Sequence, residues 1–314
     1  MSLPTATRQP LPPDVNAPDS HLLTSQRWYS RLALQWPLIY IPHILLAIPL
    51  FILSIYFAVR RHHSAEPFWS LFPEFLGMLF ATIITFLVQF VVLPAIWKKL
   101  AGKLVAAGGF ETNLRQGSRR LVLEMGCNEG TTSAIFARVI IEKQRDLSNL
   151  SGPSASLPTF IGYDKWSPWS RIPNKPSNYL TTLLHAGVPR DCIIANRVDE
   201  TSKESRTKLP YADNSISLVI SNFGLSEIAK WNSREEREAL FREVVRVLEP
   251  DGQMIVVEGG GNSKPKMGFK GPMALYKRVL VNEMGWPEEN ARTEWRWGIQ
   301  YLIGVKPVGM KQTV

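Results

Sequence analysis

Two long runs without Asp, Glu, Lys or Arg leave this chain few ways to fold in water. They cover residues 38–59 and 75–97, about 22 residues each. A helix rises 1.5 Å per residue, so either run can cross the roughly 30 Å apolar core of a bilayer. Aromatic rings near their ends would lie at the membrane interface: Trp36, Tyr40 and Trp97. The runs predict a transmembrane helical hairpin over residues 32–100. A buried hairpin of a soluble domain is the alternative.

The segments around the runs predict an orientation. Residues 1–31 are polar and Pro-rich and lack a signal-peptide layout, so we expect a disordered tail. Basic residues flank the side that holds both termini: Arg27, Arg31, Lys98, Lys99 and Lys103. The positive-inside rule then places both termini in the cytosol. We therefore expect an integral membrane protein with two spans, a lipid bilayer as partner and a cytosolic domain after residue 100.

The net charge of +9 is compatible with a nucleic-acid partner, but basic residues also collect beside membranes. Because no arginine-rich tract or RNA-binding signature occurs, no nucleic-acid partner is expected. The two cysteines, Cys127 and Cys192, cannot form a disulfide framework, which favours a reducing compartment. Neither has neighbours with metal-ligand spacing, and no metal site is expected.

From about residue 119, short β-branched runs alternate with amphipathic segments. We predict strands at 120–124, 159–164, 192–197, 216–221 and 253–258. Helices are predicted at 131–144, 177–186 and 233–248. This alternation is typical of a mostly parallel sheet with helices on both faces, whose ligands bind at the carboxyl ends of the strands. The Ser- and Pro-rich segment 144–158 is interpreted as a flexible surface insertion.

The first predicted strand ends in a glycine-containing turn with an acidic residue before it. Glu124 closes the strand, and Gly126 and Gly130 follow with G-x-x-x-G spacing. A dinucleotide site would need G-x-G-x-x-G, and a P-loop would need a lysine after the glycines. Glu124 would repel a pyrophosphate and would suit a ligand that carries an amino group. A purely structural turn between strand and helix is the alternative.

Four stretches in order resemble class I S-adenosylmethionine-dependent methyltransferases of the UbiE-like, type 11-like kind. They are residues 121–132, "FIGYDKW" at 160–166, residues 197–228, and "LFREVVRVLEPDGQMIVVE" at 240–258. The similarity covers about residues 119–307. It implies a Rossmann-like domain over residues 101–314 with S-adenosyl-L-methionine as cofactor. We expect a chain that starts near residue 105 to fold and to bind S-adenosylhomocysteine.

The resemblance also implies roles for single residues. Glu124 would hold the methionine amino group of the cofactor, and Gly126 and Gly130 would give backbone access. Asp164 would accept hydrogen bonds from the ribose hydroxyls, Asp199 would meet the adenine amino group, and Asn222 would lie beside the sulfonium. Neighbouring positions complete the predicted cofactor set: Cys127, Asn128, Thr131, Lys165, Glu200 and Phe223.

The chain departs from the family pattern at two informative places. Asn128 stands where relatives usually have a glycine, and asparagine tolerates a positive φ better than most residues. Ser226-Glu227 occupies a place where relatives often have histidine. Methyl transfer depends mainly on alignment and needs a base only if the acceptor loses a proton. Glu227 is the candidate catalytic base, and a solvated acid at a helix start is an equal alternative.

The acceptor site is predicted from tryptophans outside the shared motifs: Trp166, Trp169 and Trp286. Such residues are common in apolar small-molecule pockets. With a membrane tether, they favour a lipophilic small-molecule acceptor. A tethered protein or tRNA methyltransferase and a catalytically silent membrane scaffold that binds the cofactor are the alternatives, and a dehydrogenase is a more distant one. The oligomeric state stays open.

Overall fold

The computed structural model describes residues 93–106, 120–151, 157–166, 175–229, 233–258, 272–296 and 299–309. The predicted tail and the first predicted span lie outside these ranges, as does the second span up to residue 92. Within the described ranges, no helix combines the length and the apolar character needed to cross a membrane.

Strands and helices alternate along most of the described chain. The strands are β1 (Leu121–Met125), β2 (Thr159–Asp164), β3 (Ile193–Arg197), β4 (Ile216–Asn222), β5 (Leu248–Val257), β6 (Ala291–Arg296) and β7 (Ile299–Val305). The helices are α1 (Leu93–Ala106), α2 (Thr131–Ser151), α3 (Pro176–His185), α4 (Lys203–Thr207), α5 (Gly224–Ile228), α6 (Arg234–Val247) and α7 (Pro272–Arg278). A π-helical turn, Val279–Glu283, continues α7. Five of these strands had been predicted from the sequence.

The strands form one sheet in the order β3-β2-β1-β4-β5-β7-β6. The first five are parallel to one another, whereas β7 is antiparallel to both of its neighbours, β5 and β6. The order 3-2-1-4-5 is that of a doubly wound sheet, in which the chain reverses its winding between β1 and β4. The predicted Rossmann-like, mostly parallel fold is confirmed, and β1 and β4 meet at its ligand-binding edge.

The central strands are buried, as a parallel sheet covered on both faces requires. Every residue of β2 is buried, and so is every residue of β4 except Asn222. Apolar side chains of β1, β4 and β5 pack with those of α6 and α7 in one core: Leu123, Val219, Met254, Leu240, Phe241 and Tyr276. The core thereby fixes the strand ends on which the site is built.

Two parts of the fold differ from the sequence-based expectations. The hairpin of β6 and β7 was not predicted, because the polar and charged residues of β6 hide the alternation of an edge strand. Helix α2 continues to Ser151, so the first half of the expected insertion 144–158 is helical. The serines and asparagine there lower helix propensity by only about half a kcal/mol each, which a long helix tolerates.

Helix α1 packs on the sheet domain through α2. Ile96, Trp97, Leu100 and Leu104 are buried, and the Trp97 ring meets Phe136 edge-on at 6.1 Å between centroids. Trp97 thus lies in a protein core, in contrast to the expected membrane interface. The opposite side of α1 carries its three exposed lysines: Lys98, Lys99 and Lys103. The helix therefore crosses the predicted boundary at residue 100 and packs with the domain that follows.

Candidate functional site

The ends of β1 and β4 touch through two glycines. Gly126 has φ 62°, and a Cβ placed on it would lie 2.4 Å from the Cα of Gly224. A Cβ on Gly224 would lie 1.8 Å from the carbonyl oxygen of Met125. No real side chain fits at such distances. The close approach of the two strand ends therefore requires a glycine at both positions. A Cβ on Gly130 (φ 78°) would likewise meet the Tyr179 ring at 2.6 Å.

The turn after β1, residues 126–130, is organised around Asn128. Its φ of 46° is in the left-handed region that asparagine tolerates. Its backbone N–H donates to Oδ2 of Asp164 at 2.8 Å. Its side-chain Nδ2 donates to the Gly126 carbonyl at 3.0 Å and to Oε2 of Glu227 at 3.3 Å. A glycine would lack these side-chain bonds, so Asn128 joins the turn after β1 to α5.

Asp164 ends β2 and is only 4% exposed. One carboxylate oxygen accepts from the Asn128 N–H, and the other accepts from the Trp166 N–H at 3.0 Å. The carboxylate is therefore held in one orientation by backbone donors from both sides. Each carboxylate oxygen has two lone pairs, so capacity to accept from a ligand remains. Lys165, which follows, is partly exposed.

Glu124 lies deeper than the predicted ligand contact would suggest. It is 2% exposed and accepts from the Ser133 N–H at 3.1 Å. Ser133 belongs to the first turn of α2, which begins at Thr131, and a helix N-terminus attracts a carboxylate. Burial nevertheless raises the pKa of Glu124 to about 7, with the nearby Asp164 charge raising it further. The Glu124 carboxylate thus accepts a hydrogen bond from the first turn of α2.

A buried carboxylate that sequence reasoning missed, Glu258, follows the last residue of β5. Its Oε1 accepts from the backbone N–H groups of Leu225 at 2.9 Å and Ser226 at 3.2 Å. The Ser226 hydroxyl donates to its other oxygen. Burial raises the pKa of Glu258 to about 7. Its position at a strand end was the available signal, because the same rule had selected Glu124 and Asp164.

The turn between β4 and α5 contains a buried acceptor without a partner. Asn222 Oδ1 has no hydrogen-bond partner among the described residues. The next residue, Phe223, has φ 60° and donates its N–H to the Val257 carbonyl at 2.7 Å. Buried polar atoms are nearly always paired, so this oxygen needs a donor that the described protein atoms do not supply. A bound ligand with N–H or O–H groups would supply one.

Asp199, the predicted adenine contact, is exposed to solvent, unlike the buried Asp164 and Glu124. The Oδ1 of Asp199 accepts from the N–H of Thr201 at 2.9 Å and from its hydroxyl at 2.7 Å. These hydrogen bonds lower the pKa of Asp199. Glu200 is also exposed, and its carbonyl accepts from Arg206, which pairs with buried Glu236. The turn is therefore anchored through α4 to α6, while both predicted acids face solvent.

The tryptophans expected around the acceptor are distributed differently. Trp166 is 6% exposed, donates its Nε1–H to the Asn196 carbonyl at 3.1 Å and follows Asp164 closely in the chain. It therefore lies on the cofactor side of the predicted site. Trp286 is 4% exposed and packs in the hydrophobic core. Its role in substrate binding stays a prediction. Trp169 lies outside the described residues.

The edge formed by β1, β2, β4 and β5 is rich in acceptors and negative charge. The charge of Asp164 raises the pKa of Glu124, and the charge of Glu227 raises the pKa of Glu258. Within each pair, the two carboxylates therefore repel each other. Among the described residues, no group of three or more His, Cys, Asp or Glu side chains has the arrangement to hold a metal ion. Such an edge suits a ligand that carries donors and positive charge.

Comparison with known proteins places one family on this part of the chain. Residues 191–256 match the family model described as "Methyltransferase domain". The matched segment begins just before β3 and ends within β5, so it includes the β4–α5 turn. No curated protein matches the sequence significantly.

Solved structures similar to the chain include several methyltransferases. One is a candidate S-adenosyl-L-methionine-dependent methyltransferase from Methanococcus maripaludis, at 14% identity and TM-score 0.38, over 72% of this chain and 91% of that one. An O-methyltransferase family protein from Burkholderia thailandensis has 12% identity and TM-score 0.46, over 74% and 61% of the two chains. The DszA carbon methyltransferase has 15% identity and TM-score 0.44, over 84% and 68%.

Proposed function

We propose that this chain, with its Rossmann-like sheet and its match to a methyltransferase domain, transfers a methyl group from S-adenosylmethionine to a lipophilic small molecule at a membrane surface. The observation that carries the cofactor part is the buried carboxylate of Asp164, pinned by the N–H groups of Asn128 and Trp166 at the sheet's ligand-binding edge. A fixed bidentate acceptor at this place suits a ribose diol.

The acceptor-rich edge fits S-adenosylmethionine, which offers hydroxyl, ammonium and amino donors. Asp164 would hold the ribose hydroxyls, and the unpartnered oxygen of Asn222 would accept from a donor near the sulfonium end. Asp199, exposed after β3, would reach the adenine amino group. The bound cofactor supplies a methyl group activated on a sulfonium. The residues of this chain orient the two reactants, and alignment provides a large share of the rate in such displacements.

The membrane part of the proposal rests on the two uncharged runs, 38–59 and 75–97, each long enough to span a bilayer. Three exposed lysines on α1 follow the second run and would meet anionic headgroups: Lys98, Lys99 and Lys103. Both termini and the catalytic domain would then lie in the cytosol. A tether at the bilayer favours an acceptor that partitions into lipid, because it raises the local concentration of that acceptor.

Calorimetric titration of the purified protein with S-adenosylhomocysteine tests the cofactor assignment. We expect binding of this ligand and none of NAD. Asp164→Ala should weaken the binding at least about tenfold, because it leaves the ribose hydroxyls without their acceptor. A folded wild-type protein that does not bind S-adenosylhomocysteine at millimolar concentration would contradict the proposed function. An unchanged dissociation constant in the variant removes Asp164 from the site.

Membranes incubated with the protein and with S-adenosylmethionine labelled in its methyl group test the acceptor. We expect the label in the organic phase of the extract. Label that stays with protein or RNA instead supports the tethered macromolecular methyltransferase and overturns the lipophilic acceptor.

Glycosylation acceptors test the topology: a site near Ser64 should be modified, whereas sites at either terminus should not.

A further inference from the structure

The carboxylate of Glu227 lies against the turn after β1. Its Oε2 is 3.2 Å from the position that a Cβ on Gly126 would occupy, and it accepts from Nδ2 of Asn128 at 3.3 Å. Glu227 is also only partly buried. Sequence reasoning had made it a candidate base for the acceptor. The geometry instead places its charge on the turn that the proposed cofactor site is built on.

The backbone holds Glu227 at this place. Helix α5 begins at Gly224, whose Cα is pressed against the turn at Gly126. The N–H groups of Leu225 and Ser226 are bound by the buried carboxylate of Glu258. A helix fixed at its first three residues cannot swing away from β1, so the contact between Glu227 and Asn128 is built into the packing.

Of the carboxylates at this end of the sheet, Glu124 and Glu227 are the two candidates for a cationic ligand group, and they differ in accessibility. Glu124 is 2% exposed, and its carboxylate accepts from Ser133 in the first turn of α2. Burial raises the pKa of Glu124 to about 7, which weakens its value as a fixed negative charge. Glu227 is the more exposed of the two, and its carboxylate lies against the turn after β1. It is thus the better partner for a cationic ligand group.

A second acceptor lies where β4 leads into α5. Asn222, which ends β4, has a buried Oδ1 without a partner among the described residues. An ammonium group has three N–H donors and forms its strongest hydrogen bonds with carboxylates. Glu227 and Asn222 therefore offer the kind of acceptors that such a group requires.

We infer that Glu227 binds the α-ammonium group on the methionine part of S-adenosylmethionine and is a cofactor ligand, not a general base. This inference rests on the proposed function and assigns to Glu227 the role that the family pattern had suggested for Glu124. Asn128 becomes a positioning residue, because its side chain joins the turn after β1 to Glu227.

A pair of ligands separates this role from a general effect on the site. S-adenosylhomocysteine carries the amino acid part, whereas 5′-methylthioadenosine is the same nucleoside thioether without it. Both are titrated into the full-length protein in detergent, as wild type and as Glu227→Gln. We expect Glu227→Gln to weaken S-adenosylhomocysteine binding about tenfold or more, the usual effect of losing a charged hydrogen bond. Binding of 5′-methylthioadenosine should stay within about twofold.

Controls keep the result interpretable. Glu289→Gln, at an exposed position of the chain, should change neither dissociation constant. If Glu227→Gln does not fold, Glu227→Asp keeps the charge on a shorter side chain and should weaken only S-adenosylhomocysteine binding. Equal losses for both ligands, or no loss for either, overturn the inference; a general base would give the second result. A wild-type protein that binds neither ligand contradicts the proposed function itself.

Discussion

At the scale of single residues, the site depends on glycines whose surroundings leave no space for a side chain. Gly224 is the sharpest case, because its neighbour is the backbone carbonyl of Met125 and not a side chain that could move away. Gly102 in α1 gives the contrast, since a Cβ there would meet nothing within 4 Å. The two glycines therefore predict opposite responses to the same substitution.

We expect Gly224→Ala to destabilise the protein by about 3 kcal/mol or more, because overpacking against backbone forces the ends of β1 and β4 apart. Gly102→Ala should be stabilising by about 0.5–1 kcal/mol, because alanine favours a helix interior over glycine. Thermal and urea unfolding measure both. Similar midpoints for the two variants would show that the glycine contact at the strand ends is not as close as described.

Glu258 predicts a pH dependence of stability. Its pKa is raised to about 7 in the folded protein, whereas an unfolded glutamate titrates near about 4.3. Between these values the native state binds more protons, so the stabilisation present at low pH is lost as the pH rises through 7. The unfolding midpoint should therefore decrease as the pH is raised from about 5 to 8. Glu258→Gln should make this decrease smaller.

Other groups contribute to the same window, so the slope should decrease without vanishing. Burial also raises the pKa of Glu124 to about 7 and that of Glu129 to about 8. The exposed Glu289→Gln serves as the control and should keep the wild-type slope. Parallel curves for wild type and Glu258→Gln would contradict a raised pKa at this position.

At the scale of elements, two of the motifs that suggested the family prove to be in contact. Arg246, near the end of α6, donates to the carbonyl oxygens of Leu209 and Tyr211, each at 3.0 Å. It also pairs with Asp213 and Glu243. The arginine of "RVLEP" therefore holds the turn of "LPYAD" onto α6, a physical reason for the two patterns to occur together.

Arg246→Met should destabilise the protein by about 1–3 kcal/mol, because two carbonyls and two carboxylates lose their donor. The side chain is 25% exposed, so water replaces part of the loss. Arg234→Gln is the matched control on the same helix, where a 60% exposed arginine pairs with Glu238. An exposed pair of this kind contributes about 0.5 kcal/mol or less. Equal effects in urea unfolding would contradict the bridging role of Arg246.

At the scale of the whole molecule, the boundary of the catalytic unit moves toward the N-terminus. The pattern of runs placed it near residue 101, within a helix whose buried side chains pack on α2. A cut after this helix would remove four large buried apolar residues and expose the face of α2 that they cover: Ile96, Trp97, Leu100 and Leu104.

A chain of residues 93–314 should be more stable than one of residues 107–314 by several kcal/mol. Burial of each large apolar side chain contributes about 1.5–3 kcal/mol, which the shorter chain loses. The same comparison tests the expectation that a start near residue 105 suffices. Both chains contain every residue assigned to the cofactor, so the longer one should bind S-adenosylhomocysteine like the full protein. Equal urea midpoints would show that α1 is dispensable.

Local pattern was enough to predict the parallel strands and the residues at their carboxyl ends. Buried parallel strands are short apolar runs whatever lies beside them, and the residue after such a run lies at the ligand-binding edge. Asp164 and Gly126 could be identified in this way, as could the alternation that indicates a doubly wound sheet. Each of these features depends on residues close together in the chain.

Contacts between distant parts of the chain required the folded molecule. Asn128 and Glu227 are 99 positions apart, and only the order β1-β4 in the sheet brings their turns together. The same holds for Glu258 under α5 and for α1 against α2. The β6–β7 hairpin depends on register with β5, which its own sequence does not reveal. Strand order and helix packing arise from the free energy of the whole core, so no local segment carries them.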